Sequence, residues 1–177
     1  MGGGCAATFL NWSGAIMSFW QMCLLGLFLA VTQVTGQAVA CPNPDMAATR
    51  QISSNGASLR LGQNRRIFAG GKAELIGCDY LGLPQVPPMM FNDAPSFTAD
   101  LSGMIGLAME IRADSDCATG MLVRTADGHW YYDDSGQGTG QPQLILRRPG
   151  RGEIMVWVGT KDGEQCRARL NLSTYSG

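Results

Sequence analysis

Arg167-Ala168-Arg169-Leu170-Asn171-Leu172-Ser173, near the end of the chain, decides the fold class. Ala168, Leu170 and Leu172 alternate with Arg167, Arg169, Asn171 and Ser173, the period-two signature of a strand with one dry face and one wet face. Leu107, Met109 and Ile111 alternate with Ala108, Glu110 and Arg112 in the same way, and Leu59 and Leu61 alternate with Ser58, Arg60 and Gly62 over a shorter span. Further strand candidates are 66–69, 73–76, 97–99, 121–125, 129–132, 143–146 and 153–158, separated by turn signals such as Asp127-Gly128, Pro149-Gly150 and Asp162-Gly163. Short strands at this spacing, with little helical periodicity, predict an all-β fold, an antiparallel jelly-roll-like β-sandwich. The stretch from Gly77 to Pro95 contains Pro84, Pro87, Pro88 and Pro95 and reads as a crossover loop between two groups of strands.

The 177 residues include 24 Gly, 8 Pro, 6 Cys and one His, with 15% charged side chains and a formal net charge of -1. This length allows one domain. A balanced charge and no cluster of Lys or Arg interleaved with aromatics argue against nucleic acid as a partner. The lone histidine, His129, removes multi-histidine metal sites and any triad that does not pass through it.

All 13 basic and 14 acidic residues lie at Asp45 or later. Ahead of them, the apolar run from Cys23 to Val31 has the length of a signal-peptide core and falls short of a bilayer span. Gly36-Gln37-Ala38-Val39-Ala40 offers a small-x-small cleavage pattern, so residues 1–40 read as a signal peptide, with Met17 as an alternative start, and 41–177 as the mature domain. No Lys or Arg precedes the apolar run, which leaves the chain amine as its only positive charge. Two rival readings use the same residues. One is a permanent anchor extending back through Ile16, Phe19 and Trp20. The other is a lipobox, Ala38-Val39-Ala40-Cys41, with Ala in place of the preferred Leu.

Export implies a periplasmic or secreted location and an oxidising compartment. The four mature cysteines, Cys41, Cys78, Cys117 and Cys166, then read as two disulfides with three pairings open. None has the short Cys-x2-Cys spacing of a zinc site. Cys41 with Cys78 and Cys117 with Cys166 is the preferred pairing, since the two loops are similar in size and each ties one half of the domain. A paired Cys41 is not lipidated.

Several constellations bear on chemistry. Asp127, Asp133 and Asp134, beside Ser135 and Gly136, supply hard oxygen atoms of the kind calcium takes; the rival is an acidic turn in which Asp side chains bond to nearby backbone N–H groups. Asp114-Ser115-Asp116 is a weaker candidate of the same kind. His129, Asp134 and Ser135 invite a triad reading, but no Gly-x-Ser-x-Gly elbow accompanies them and neighbours on one strand point to opposite faces. Trp130, Tyr131 and Tyr132 offer a sugar-stacking platform, against a reading in which alternate members enter the core with Trp157. Arg147, Arg148 and Arg151 surround Pro149-Gly150 and read as a solvated hairpin tip.

The run from Met121 to Gly136 (MLVRTADGHWYYDDSG), followed by Pro142 to Leu146 (PQLIL) and Gly152 to Thr160 (GEIMVWVGT), resembles the bacterial pre-peptidase C-terminal domain. The chain is also similar to small exported proteins of alphaproteobacteria. Those begin the mature chain with Cys-Pro-x-Pro, here Cys41-Pro42-Asn43-Pro44, carry an Ala-Gly-Gly segment, here Ala69-Gly70-Gly71, before the second cysteine Cys78, and place Cys117 and Cys166 as here. Ala126 stands where the family favours Pro, and Ser135 where relatives often carry another Asp, which weakens a metal site carried over from the family. The resemblance implies a jelly-roll β-sandwich in an accessory role beside secreted peptidases, towards calcium, carbohydrate or fibrous protein, and it does not imply catalysis. The function expected is thus an exported, non-enzymatic, monomeric binding or accessory module for a protein or polysaccharide. The rivals are a hydrolase or peptidase-associated component that depends on Asp127 to Gly136, and a structural envelope protein.

Overall fold

A computed structural model describes residues 41–85, 88–138 and 140–177. The expected signal peptide, with its anchor and lipobox rivals, falls on residues 1–40 and so, apart from Cys41 itself, outside the described residues. The alternation that opens the sequence analysis becomes the middle of the last strand. In chain order the strands are β1 (Gln51–Asn55), β2 (Gln63–Ala69), β3 (Ala73–Glu74), β4 (Met90–Phe91), β5 (Phe97–Ser102) and β6 (Leu107–Ser115). They continue with β7 (Thr119–Arg124), β8 (Trp130–Asp133), β9 (Gln143–Leu146), β10 (Gly152–Thr160) and β11 (Cys166–Ser176), and one short helix, α1 (Gly56–Leu59), follows β1.

Two sheets pack as a β-sandwich. One has the order β2-β11-β6-β9 and is antiparallel throughout. The other is built on β10, with β5 and β1 on one side and β7 and β8 on the other. Thr160 pairs with Met90 and also with Thr119, so β4, followed by β3, takes over the β5 side of β10 where β5 has ended. The antiparallel expectation fails at one pair: β1 runs parallel to β5, with Ile52 opposite Ala99.

Two local expectations also need correction. The alternation at Ser58 to Gly62 is not a strand, because Asn55 caps a helical turn there by accepting the N–H of Ser58 at 2.9 Å. Such a cap satisfies a donor that a strand at this position would leave to a neighbour. Gly77 to Pro95 is not a bare crossover either, since it contains a 3-10 turn at Asp79–Leu81 and the strand β4.

The sheets meet over a core in which Phe97, Leu101, Ile111, Val156, Leu170 and Leu172 are fully or almost fully buried. A second apolar layer lies on the other face of the β10 sheet. Trp157 is wholly buried there with Leu122, under Leu75, Leu81, Met89 and Phe91. Its indole N–H donates to the Asp93 carbonyl at 3.2 Å, which satisfies a polar group that burial would otherwise penalise. The covering segment is held by the Cys41–Cys78 disulfide, with Cα atoms 5.9 Å apart, and by a hydrogen bond from the Tyr80 hydroxyl to the Pro42 carbonyl. Cys117–Cys166, with Cα atoms 6.4 Å apart, joins the approach to β7 to the first residue of β11 and so links one sheet to the other.

Gly71 lets the chain turn between β2 and β3. Its φ is +149°, its N–H donates to the Gly163 carbonyl at 3.1 Å, and a Cβ there would stand 2.0 Å from the Phe91 carbonyl oxygen. Gly71→Ala is therefore expected to lower stability by about 3 kcal/mol, read as a fall in the urea midpoint. Replacing Cys117 and Cys166 together by Ala should cost about 2 to 4 kcal/mol in the same measurement.

Candidate functional site

The acidic turn is a knot of local bonds. Asp133, at the end of β8, accepts the N–H groups of Gly136 and Gln143 on one oxygen, each at 2.8 Å. Asp134 accepts the Tyr132 hydroxyl at 3.3 Å. Asp127, in the β7–β8 turn, accepts the Thr125 hydroxyl on one oxygen and stands 3.0 Å from His129 Nδ1 with the other. The three carboxylates expected to hold calcium are thus each committed to a different neighbour. Among the described residues, no group of three or more His, Cys, Asp or Glu side chains is placed to hold a metal ion. The triad does not assemble: His129 pairs with Asp127, while the Ser135 hydroxyl lies 3.5 Å from Asp133.

These bonds set the local acidities. The Thr125 hydroxyl first, then His129, hold the Asp127 carboxyl below its ordinary value. Because the folded value lies below the unfolded one, the interaction favours the fold above the ordinary carboxylate range and is lost as pH falls through the lowered value. Asp127 is well exposed, so solvent screens most of that effect. Burial first, and then the charge of Asp134, push the Tyr132 phenol far above its usual range.

Trp130, Tyr131 and Tyr132 do not share a face. Trp130 lies opposite Arg124 and packs against Trp157 at 5.2 Å between ring centroids, with Tyr80 edge-on at 5.8 Å and the Arg124 guanidinium 6.0 Å from its centroid. Tyr132 lies edge-on to Phe91 at 6.5 Å. Tyr131 sits opposite Val123, on the core side, at the open edge of the sheet. The run therefore extends the second apolar layer and does not form a stacking platform.

Sequence reading missed the surface that stands out, on the wet face of β11. Register places Arg169 opposite Arg66 of β2 and Arg167 opposite Phe68. Arg169 also faces Asp114 of β6, but Arg112 engages that carboxylate through both Nε and Nη2 at 2.8 Å. Arg66, Arg167 and Arg169 consequently make no ion pair among the described residues. Together with Arg50 and Phe68, which is 53% exposed, they line a groove of about 870 Å³ in which four arginines outnumber the two carboxylates, Asp114 and Asp116. Like charges directly opposite on neighbouring strands destabilise a sheet. The outer face of the other sheet shows the converse, with Glu153 of β10 opposite Asp100 of β5, both exposed and without an ion pair among the described residues. Arg167 and Arg169 could be read as wet-face residues from their alternation, but their meeting with Arg66 depends on register.

Comparison with protein-family models and with curated proteins finds no match. Among solved structures, the chain is similar to Aeromonas hydrophila PliG, a periplasmic lysozyme inhibitor of g-type lysozyme, with 14% identity and a TM-score of 0.42 over 73% of this chain and 100% of that chain. A likeness this distant bears on neither activity nor partner.

Two outcomes follow from the acidic turn. Asp133→Ala should cost about 1 to 3 kcal/mol by stranding two backbone donors, and more than Asp134→Ala, in denaturant melts. In Thr125→Val, NMR titration of the Asp127 carboxyl should move its midpoint up towards the ordinary carboxylate value.

Proposed function

We propose that the chain is an exported, non-enzymatic binding module that docks an acidic partner surface on the outer face of the β2-β11-β6-β9 sheet. The observation that carries the reading is the uncompensated cross-strand pair Arg66 and Arg169, with Arg167 and the exposed ring of Phe68 alongside. An arrangement that costs stability and leaves forked donors unpaired is what a site for carboxylate, sulfate or phosphate groups requires. An aromatic anchor ringed by arginines also has the composition of binding hot spots. Strands, rather than loops, carry Arg66, Phe68, Arg167 and Arg169, so little backbone entropy is lost on docking. A hydrolase reading of Asp127 to Gly136 draws no support from the geometry, because His129 and Ser135 are turned to different carboxylates. The partner class is a protein or polysaccharide with acidic groups.

The test is retention on immobilised polyglutamate at low salt, compared between the native chain and Arg66→Ser/Arg169→Ser. Binding should fall at least about tenfold in the variant and weaken with salt in the native chain. The unfolding midpoint should hold or rise slightly, because the like-charge pair is gone. Equal binding by the two chains would remove this face as the site.

A further inference from the structure

One end of the sandwich carries a different surface, built from turns. A Cβ on Gly56, at the start of α1, would meet Leu107 at 2.4 Å and the Gly103 carbonyl at 2.7 Å, so α1 lies directly against the β5–β6 turn. The N–H of Gly177 donates to the Gly106 carbonyl of that turn at 3.3 Å, and Gly177 also lies beside the Arg147 carbonyl of the β9–β10 connection, which passes from one sheet to the other and is not the hairpin tip expected from the sequence. Three turns are thereby gathered at one end. At the tip of the β5–β6 turn stands Ile105, 100% exposed, and just beyond α1 stands Leu61, 93% exposed, the two most exposed large hydrophobic side chains among the described residues. Ile105 is held outward in a turn closed by the Leu107 N–H to Met104 carbonyl bond at 3.1 Å.

Arginines surround these tips. Arg147, Arg148 and Arg151 share with Ile105 a groove of about 690 Å³, and Arg60 immediately precedes Leu61. None of the four makes an ion pair among the described residues. Glu153 follows Arg151 by two positions, and Asp127 is also near, since Ala126 lies against Gly152, but the two oxygens of Asp127 are taken by Thr125 and His129. Asp100 and Glu153 belong to the outer face of the β10 sheet and not to the turns.

We propose that this end of the sandwich docks on an anionic lipid bilayer, with Ile105 entering the interfacial region and Arg147, Arg148 and Arg151 meeting the lipid phosphates. Isolated aliphatic side chains on projecting turns cannot supply the broad complementary area of a protein interface. A fluid interface adapts to them, and binding to it scales with buried apolar area and with attraction between cations and anionic lipid. The residues invoked here are distinct from Arg66, Arg167, Arg169 and Phe68, so variants at this end test the docking separately from the binding function proposed above.

The test uses the full chain with vesicles of phosphatidylglycerol mixed with phosphatidylcholine, and with vesicles of phosphatidylcholine alone, read by co-sedimentation. Any contribution of the apolar N-terminal segment is common to all variants, so the measured quantity is the preference for anionic vesicles and its change. The native chain should show a salt-sensitive preference. Arg147→Gln/Arg148→Gln/Arg151→Gln should reduce it by about 100-fold, at about fivefold for each cation. Ile105→Ser should weaken binding to the anionic vesicles several-fold without changing its salt dependence. Unfolding midpoints establish that the variants are folded. Ile105→Ser, at a fully exposed position, keeps the question decidable if the triple variant does not fold. A preference retained by the triple variant, an Ile105→Ser chain that binds like the native one, or displacement of the native chain by inorganic phosphate at constant ionic strength would each overturn the proposal.

Discussion

A strand that is apolar on both faces has to be covered twice, and β10 is that strand. Ile154, Val156 and Val158 look into the space between the sheets, while Trp157 looks the other way, and all four are shut off from water. The first requirement is met by the β2-β11-β6-β9 sheet. The second is met by the segment from Leu75 to Phe91, which has little regular structure of its own and depends on attachments. Those attachments are the Cys41–Cys78 bridge, the Tyr80 to Pro42 bond and the Trp157 indole bond to Asp93. The tight approach of Gly71 to Phe91 belongs to the same set, because it lets the chain leave β2 and enter the cover without a side chain in the way. Removing water from a large indole is a strong drive, and it favours the packing of Leu75, Leu81, Met89 and Phe91 over Trp157.

How much of this was legible in the residues depends on distance along the chain. β9 was read with its observed limits, and β6, β10 and β11 were placed correctly, because period-two alternation is a local property. β1 escaped because Gln51 to Asn55 offers one large apolar residue, Ile52, as befits an edge strand in contact with one neighbour. The helical turn at Gly56 was misread as strand because the capping side chain, Asn55, lies outside the alternating run. The bonding of the acidic turn was only partly legible for a related reason: one of the donors that Asp133 accepts is the amide of Gln143, ten positions away. The arginine face was invisible for the strongest reason. Arg66 and Arg169 are about a hundred positions apart, and no feature of either neighbourhood states the register that brings them opposite.

Register therefore sets the arginine face on which the proposed function rests, while alternation carries the fold. The same wet-face positions of β11 could have met Asp or Glu on β2 with no change to the core. They meet Arg66 and Phe68 instead, and the one carboxylate within reach on β6 is already held by Arg112. The disulfide between Cys117 and Cys166 sits at the start of β11, next to Arg167, and fixes the end of the strand from which these side chains project.

The facing carboxylates Asp100 and Glu153 on one sheet, and the facing guanidinium groups of Arg66 and Arg169 on the other, give the molecule a consequence that its net charge of -1 conceals. With opposite signs on opposite outer faces, the sandwich is an electric dipole directed across its thickness. Such a body feels little net pull from a distant charged surface but experiences a torque in its field, so the arginine face turns towards an acidic wall before contact. At ionic strengths where the screening length is about 8 Å, that alignment acts only over the last fraction of a molecular diameter of approach. The two-sheet architecture thus sets the orientation of encounter as well as the shape of the surface that arrives.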